Sequence, residues 1–345
     1  MTRKIKVGGI CIGGGGPVII QSMANADTRD VPAVSAQINA LAAAGCELVR
    51  VAVRDARAAA AIAEIKRGIS IPLAADIHFD YKLALAAAEA GADKLRINPG
   101  NIGGADKARE VARACLERGL PIRVGVNGGS LEDELLRKYG GPTPEALCES
   151  ALRQASVLED AGFSDIIISI KASSVPVTVA ACRRLSEKTD YPLHIGLTEA
   201  GLLYDGLIKS SACIGALLLS GIGDTVRISL TDDPLEEIRA AKALLQAVGA
   251  RRFGVEFISC PTCGRTEVDL IPIARRVRAA CEGLGKPVTV AVMGCAVNGH
   301  KEAASADVGV SCGRGGAVLF KKGRVVANIT EEEIIPRLMA EIEEL

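Results

Sequence analysis

Residues 72–100, PLAADIHFDYKLALAAAEAGADKLRINPG, set the pattern of the whole chain. The segment 72–79 is an apolar run of strand length, interrupted by Asp76 and His78. From 81 to 92 the chain is Ala-rich, with apolar residues at helical spacing and Gly91 where a helix would close. Strand character returns over 94–100. A strand, a helix and a second strand in so short a span form the repeating unit of a parallel sheet. Working outward, the same unit recurs on both sides. Short strand-like runs stand at 18–23 (VIIQSM), 47–53 (ELVRVAV), 72–79, 94–100, 121–127 (PIRVGVN), 165–173 (DIIISIKAS), 192–201 (PLHIGLTEAG) and 225–230 (TVRISL). Helical patterns such as VPAVSAQINALAAAG at 31–45 lie between them. Eight repeats predict a TIM-like (β/α)8 barrel rather than an open doubly wound sheet, and a span of about 250 residues is usual for that fold. The barrel is expected over 1–250, and a smaller α/β domain over 251–345.

Composition agrees with two domains, since 345 residues exceed what one core ordinarily fills. Lys plus Arg and Asp plus Glu both number 41, so net charge is zero and gives no ground for nucleic acid or an anionic membrane as a bulk partner. Trp is absent and only nine residues are Phe or Tyr, which suits a close-packed small-residue core and argues against base-stacking surfaces. Of eleven cysteines, eight (Cys11, Cys46, Cys115, Cys148, Cys182, Cys213, Cys281 and Cys312) are scattered without framework spacing, as expected in a reducing cytosol. Arg3, Lys4 and Lys6 precede an uncharged run from Val7 to Ala26 that imitates a secretory leader, but Gly8, Gly9 and Gly13 to Gly16 break its apolar character. The uncharged stretch from Ser210 to Gly223 is too short to span a bilayer. A cytoplasmic location is expected.

Interior strands of a parallel barrel should be almost wholly apolar, so polar residues repeating at one parity need a reason. Here they occur in nearly every strand: Arg50 and Arg54, Asp76 and His78, Arg96 and Asn98, Arg123 and Asn127, Ser169 and Lys171, Leu197 and Glu199, Arg227 and Ser229. Each set shares one face of its strand. Pointing inward at the C-terminal ends, they would converge on one pocket. Its basic members (Arg54, Arg96, Arg123, Lys171 and Arg227) outweigh its acids, as phosphate or diphosphate recognition requires. The run Gly13 to Gly16 precedes a strand and opens no helix, so it reads as a lead-in turn and not as a phosphate cradle.

The 251–345 segment carries Cys260-Pro-Thr-Cys263, then Cys295 in MGCAVNG, then Glu302. Three soft thiolates can hold three corners of an iron-sulfur cube or most of a zinc tetrahedron. For zinc, Cys312 or His300 would close the set; a redox dithiol would not need Cys295. Each cysteine follows a strand-like run, VEFISC or VTVAVMGC, so the thiols should emerge from strand ends toward one point. Glu302 falls in NGHKEA, read as a loop. As a weaker oxygen ligand it would leave one corner exchangeable for substrate.

Ten ordered segments then carry a resemblance along nearly the whole chain: IQSMANADTRDV, LVRVAV, ADIHFDYKLAL, KLRINPGNIG, VGVNGGSLE, SIKAS, HIGLTEAG, GIGDTVRISLTDDP, FISCPTCGRT and MGCAVNG. Together they resemble the bacterial 4-hydroxy-3-methylbut-2-enyl diphosphate synthases of the methylerythritol phosphate route to isoprenoids. That resemblance implies a barrel followed by a [4Fe-4S] domain, the substrate 2-C-methyl-D-erythritol 2,4-cyclodiphosphate, and flavodoxin or ferredoxin as reductant. It also implies a homodimer in which one subunit's cluster domain caps the other's barrel. The implied cluster ligands are Cys260, Cys263, Cys295 and Glu302. The implied substrate contacts are His78, Arg96, Asn98, Arg123, Asn127, Lys171, Arg227 and Ser229, with Glu199 as the acid that helps the hydroxyl leave. One departure matters: the family's NGPGEA is NGHKEA here, which should alter that loop's backbone freedom. Two readings from other classes compete. One is a redox-neutral barrel synthase, for pterins or phosphosugars, with a structural zinc module; the other is a non-catalytic cluster sensor.

Overall fold

The computed structural model describes residues 1–295 and 299–345, with His300 described by its backbone alone. The chain divides into two compact units, Met1–Arg251 and Arg252–Leu345.

In the first unit, strands β1 (Ile5–Val7) and β2 (Ile10–Ile12) form a small antiparallel hairpin. Eight parallel strands follow: β3 (Ile19–Met23), β4 (Leu48–Val53), β5 (Leu73–Ile77), β6 (Lys94–Ile97), β7 (Ile122–Asn127), β8 (Ile166–Lys171), β9 (His194–Ile195) and β10 (Thr225–Val226). They pair in the order β8-β7-β6-β5-β4-β3-β10-β9. The ring closes where Ile168 bridges Leu193 in parallel and its N–H donates to the Pro192 carbonyl at 2.9 Å. Helices alternate with the strands as the repeat requires. In the unit quoted first, Asp80 caps the helix Tyr81–Glu89 by accepting from the Lys82 N–H, and Gly91 takes the left-handed conformation just beyond it, at φ 92°.

Two of the eight strands are far shorter than the sequence suggests. The segment read as a strand over 192–201 pairs only at His194–Ile195, and that over 225–230 only at Thr225–Val226. A side chain at Gly196 would collide with the Arg227 carbonyl oxygen and lie 2.8 Å from Lys171 Nζ, so the two backbones approach closely just past the ladder. Beyond it Glu199 sits at φ 56°, where a non-glycine residue marks a turn.

The hairpin straddles the start of the uncharged N-terminal run, with Lys6 in its first strand. Its Ile5, Val7 and Ile12 pack against Ile19, Leu48, Ala74 and Ile167, which lie in the first or second positions of β3, β4, β5 and β8. The hairpin therefore plugs the N-terminal mouth of the barrel with apolar side chains. Gly13, Gly14 and Gly15, all at positive φ, turn the chain from this plug into β3, and the Gly14 N–H donates to the Thr2 carbonyl at 3.1 Å. They make a turn and do not open a helix.

The second unit has one mixed sheet of five strands: β11 (Glu256–Ser259), β12 (Thr289–Met293), β13 (Val308–Gly313), β14 (Gly316–Lys321) and β15 (Arg324–Ile329). The first three run parallel; β13, β14 and β15 form an antiparallel meander. Lys322 and Gly323, both at positive φ, make the two-residue turn joining β14 to β15. Strand alternation sorts the core. Val290, Val292, Val308 and Val310 meet Ile273 and Val277 of the helix Leu270–Cys281 and Leu338 and Ile342 of the helix Ile334–Glu343. On the opposite face Ala291, Met293 and Phe320 meet Ala303 and Ala306. Among the described residues no helix is long and apolar enough to cross a membrane.

Replacing Ile12, fully buried in the plug, by Ala is expected to lower the stability of the first unit by about 2–5 kcal/mol. Chemical unfolding of wild type and variant measures it, and a loss below experimental error would deny the plug its structural role.

Candidate active site

Barrel interiors of this type are ordinarily filled by layers of branched apolar residues. This one is charged. Asp76 on β5 accepts from Arg96 Nη1 at 3.1 Å and lies 3.5 Å from Arg50 Nε. Arg96 also approaches His78 Nε2 at 3.2 Å, and the Asp76 carboxylate lies 3.5 Å from the same nitrogen. On the next strands Arg123 Nη1 donates to Ser169 Oγ at 2.5 Å. Arg50 reaches Met23 Sδ at 2.9 Å. Arg227 pairs with Glu237 at 3.2 Å; that carboxylate, carried in from the helix Pro234–Ala247, also accepts from Ser22 Oγ at 2.8 Å and from the Leu230 N–H at 3.1 Å.

Glycine makes room for these side chains. A Cβ on Gly125 would stand 2.7 Å from Arg96 Nε, and one on Gly196 would meet Lys171 Nζ. Deeper still, Lys94 is fully buried and its Nζ has no hydrogen-bond partner among the described residues. His194 Nδ1 lies 2.6 Å from Thr225 Oγ1 while its Nε2 has no partner, and both amide atoms of buried Gln21 also lack one. Arg123 is left with Nε and Nη2 unpartnered.

Burial opposes several of these charges. It pulls Arg50 down to about 10, and it drives Lys94, Arg123 and Lys171 well below their ordinary values, with repulsion from neighbouring cations adding to the effect. His194 is likewise pushed far below the usual histidine range and is neutral. Burial also pushes the Asp76 carboxyl up, but the Arg50 charge and the contacts from His78 and Arg96 outweigh it and hold the group ionised. Among the described residues six basic side chains, Arg50, Lys94, Arg96, Arg123, Lys171 and Arg227, thus face two carboxylates, Asp76 and Glu237. Such an interior suits a multiply charged anion.

The sequence candidates fall into three groups. Arg96, Arg123, Lys171 and Arg227 come together in this interior, and exposed His78 reaches Arg96 and Asp76 from its rim. Asn98, buried, accepts from the Gly100 N–H at 3.0 Å; Asn127 is paired in register with Lys171, and Ser229 is half-buried beyond β10. Glu199 is exposed on its turn after β9, outside the inward parity that placed it with Leu197; the inward positions there are His194 and Gly196. Arg54 is exposed and, with Arg227, lines a cavity of about 390 Å³ at the C-terminal ends of β3, β4 and β10, together with Asn25, Thr28 and Glu237.

In the second unit, Cys260 and Cys295 each follow a strand of the adjacent parallel pair β11 and β12. Cys260 Sγ accepts from the Gly294 N–H at 3.2 Å. The Cys263–Thr266 turn is closed by the Thr266 N–H donating to the Cys263 carbonyl at 2.9 Å, and Thr266 Oγ1 accepts from the Cys263 N–H at 3.0 Å. Hydrogen bonds from the Arg265 backbone and side chain lower the exposed Cys263 thiol below its usual value. Arg265 in turn is raised by that bond and by attraction from Cys263, Glu302 and Cys295, so one guanidinium faces two of the three thiols and the carboxylate. Glu302 is not in a loop: it ends the one-turn helix Gly299–Glu302, fixed by the Gly299 N–H to the Cys295 carbonyl at 2.9 Å and the Ala303 N–H to the Gly299 carbonyl at 3.0 Å. Ala296, Val297, Asn298 and the His300 side chain, which belong to the MGCAVNG and NGHKEA segments, lie outside the described residues. Cys312 is packed in the apolar core, where burial pushes its thiol up to about 12, so it is an inert core residue. Among the described residues no three His, Cys, Asp or Glu side chains converge as ligands of a single metal ion.

Sequence reasoning missed Gln21, Lys94, His194 and Glu237. Parity could have found Lys94, two residues before Arg96; nothing local marks Glu237, whose helix reads as an ordinary amphipathic surface. Lys94→Met is expected to raise stability near neutral pH by about 1–3 kcal/mol, because it removes a desolvated, unpartnered amine. Lysine is depressed in the folded chain, so its cost grows as pH falls below the unfolded value near 10.4 and vanishes above it. Unfolding curves from pH 7 to 10.5 should therefore show the gain shrinking as pH rises; a constant or rising gain contradicts the assignment.

Comparison with known proteins agrees with both units. The GcpE TIM-barrel domain matches residues 2–242 and the GcpE protein C-terminal domain matches 256–344. A protein of Ruminiclostridium cellulolyticum, named 4-hydroxy-3-methylbut-2-en-1-yl diphosphate synthase (flavodoxin), is 54% identical over 344 residues, covering 100% of this chain and 98% of that one. The Bacillus subtilis protein of the same name is 52% identical over 342 residues, covering 99% and 91%. Among solved structures, the dihydropteroate synthases of Yersinia pestis (TM-score 0.51, 14% identity, 72% of this chain and 99% of that one) and Stenotrophomonas maltophilia (0.52, 16%, 72% and 98%) share the barrel fold. At that identity they speak for architecture alone. With both of its units matched in order and such relatives along its full length, the chain belongs to the GcpE family.

Proposed function

We propose that this chain carries out the reaction its relatives are named for, the formation of 4-hydroxy-3-methylbut-2-enyl diphosphate from 2-C-methyl-D-erythritol 2,4-cyclodiphosphate in isoprenoid biosynthesis. The observation that carries the reading is the cationic barrel interior, with Arg96, Arg123, Lys171 and Arg227 set against only two carboxylates. It suits the anionic end of a cyclic diphosphate and has no purpose in an apolar-cored scaffold.

The donor set of the second unit suits a [4Fe-4S] cluster: three thiols at strand ends and turns, one of them already drawn toward its thiolate form, and a carboxylate near the same arginine. Cys260, Cys263, Cys295 and Glu302 would hold it. When bound, such a cluster supplies single electrons and a Lewis-acidic iron. The protein's own residues do the rest. Arg96, Arg123, Lys171 and Arg227 bind the two phosphates; Asn98, Asn127, Ser229 and His78 fix the orientation of the sugar-derived end. Two electrons enter, the ring bond from carbon to phosphate oxygen opens, and one hydroxyl leaves as water with a proton from Glu199. The electrons come from flavodoxin or ferredoxin, and the enzyme works as a homodimer in the cytoplasm.

Anaerobically prepared protein should contain iron and sulfide, and its visible and EPR spectra should change when the cyclodiphosphate is added. Colourless protein holding zinc would favour the redox-neutral barrel synthase instead. Glu199→Gln should leave substrate affinity near that of wild type and lower turnover by about 100-fold or more, the usual effect of removing a general acid. Undiminished turnover would remove Glu199 from the mechanism.

A further inference from the structure

Beside Cys260 the second unit carries a groove of about 190 Å³, lined among others by Phe257, Leu270, Ile271, Arg275 and Arg278. It lies between β11, which is the edge strand of its sheet, and the helix Leu270–Cys281. That helix turns Ile273 and Val277 into the core. Ile271, Arg275 and Arg278, at i, i+4 and i+7, share another stripe that faces the groove, and all three are exposed, Ile271 by 53%. Among the described residues neither Arg275 nor Arg278 has an ion pair, whereas neighbouring Arg276 is held by Glu331 at 2.6 Å. No carboxylate lines the groove.

An exposed isoleucine followed along its helix by two arginines without an ion pair among the described residues, with a thiol across the groove, is an unusual surface for a chain to leave uncovered. Its chemistry fits a partner that presents carboxylates around an apolar centre. A second copy docking by the same face would bring four arginines together, so charge disfavours a symmetric contact between copies at this face. We propose that this groove is the docking surface for the electron donor, an acidic redox protein of the flavodoxin type, which seats its cofactor edge toward Cys260. The proposal rests on reading Cys260 as a cluster ligand. It gives the electrons an entry on the side of the thiol turned toward solvent. It also predicts a small, salt-sensitive contact, as transient redox encounters have.

The test is binding of purified oxidised flavodoxin to the iron-loaded holoenzyme by calorimetry at low and high salt, for wild type, the double variant Arg275→Glu/Arg278→Glu, and Ile271→Ala. The charge reversal should weaken binding by about tenfold or more and flatten its salt dependence, and Ile271→Ala should weaken it with the salt dependence kept. Turnover driven by dithionite should stay at the wild-type level in both variants while flavodoxin-driven turnover falls. Flavodoxin affinity within about twofold of wild type in both variants would overturn the docking surface, as would a change of oligomeric state on charge reversal, which would make this face a contact between copies. Wild-type protein that lacks iron and sulfide yet binds flavodoxin, with that binding lost in the Arg275→Glu/Arg278→Glu variant, would sink the redox reading and leave the docking surface standing.

Discussion

Desolvated positive charge is the constraint on which the barrel depends. Arg50, Lys94, Arg96, Arg123, Lys171 and Arg227 occupy a space that comparable folds fill with valine and leucine, and burial works against the charges of Arg50, Lys94, Arg123 and Lys171. The surrounding structure is arranged to tolerate this. Asp76 ties Arg50 and Arg96 together, Glu237 holds Arg227, and the Ser169 hydroxyl takes one Arg123 donor. Gly125 and Gly196 give up side chains where guanidinium and ammonium groups pass. Beneath lies the apolar plug of Ile5, Val7 and Ile12. The polar atoms still left over among the described residues, on Lys94, Arg123 and His194, represent stability given up for an interior prepared to take an anion.

The second unit solves a different problem, that of making some thiols reactive and keeping others quiet. Cys312 and Cys263 show the contrast within one small sheet. The first is enclosed by aliphatic side chains and raised to about 12; the second is exposed on a turn, hydrogen-bonded by Arg265 and lowered. Thiolate character follows from these surroundings alone. Arg265 also faces Cys295 and Glu302, so the same guanidinium that favours the Cys263 thiolate offsets the repulsion that would arise among several anionic donors.

Much of this was legible in the sequence because its signals are local. The strands β4, β5, β7 and β8 announce themselves as apolar runs, and the i, i+2 placement of Arg96 and Asn98 or Ser169 and Lys171 declares an inward face. The N-terminal hairpin did not, because its two strands have three residues each and Gly8 and Gly9 interrupt the period. The span of β9 was overread: PLHIGLTEAG has strand composition, but the close approach of backbones at Gly196 ends the ladder, a tertiary effect no local pattern records. Glu302 was taken for a loop residue because NGHKEA lacks apolar periodicity, yet one helical turn needs only two backbone hydrogen bonds to exist. Glu237 was beyond reach for the opposite reason: its helix is regular, and only its partner, Arg227 on β10's extension, reveals its duty.

Depth within the barrel also dictates how a ligand must lie. Register places Asp76, Arg96 and Arg123 abreast on adjacent strands, while Asn127 and Lys171 are paired farther toward the C-terminal ends. Basic groups therefore run from the middle of the interior, at Arg96 and Arg123, up to Lys171 beside Asn127, with Asn98 and the exposed His78 also nearer the mouth. A field focused from below by buried cations draws the most anionic part of a ligand inward, and uncharged amides near the rim discriminate by hydrogen-bond geometry instead. A molecule that carries its phosphates at one end and hydroxyls at the other then has one favourable orientation, phosphates down and hydroxyls toward the opening. The exposed turn bearing Glu199, outside the inward parity of β9, follows that strand at its C-terminal end, so its side chain is set apart from the guanidinium groups that face the interior.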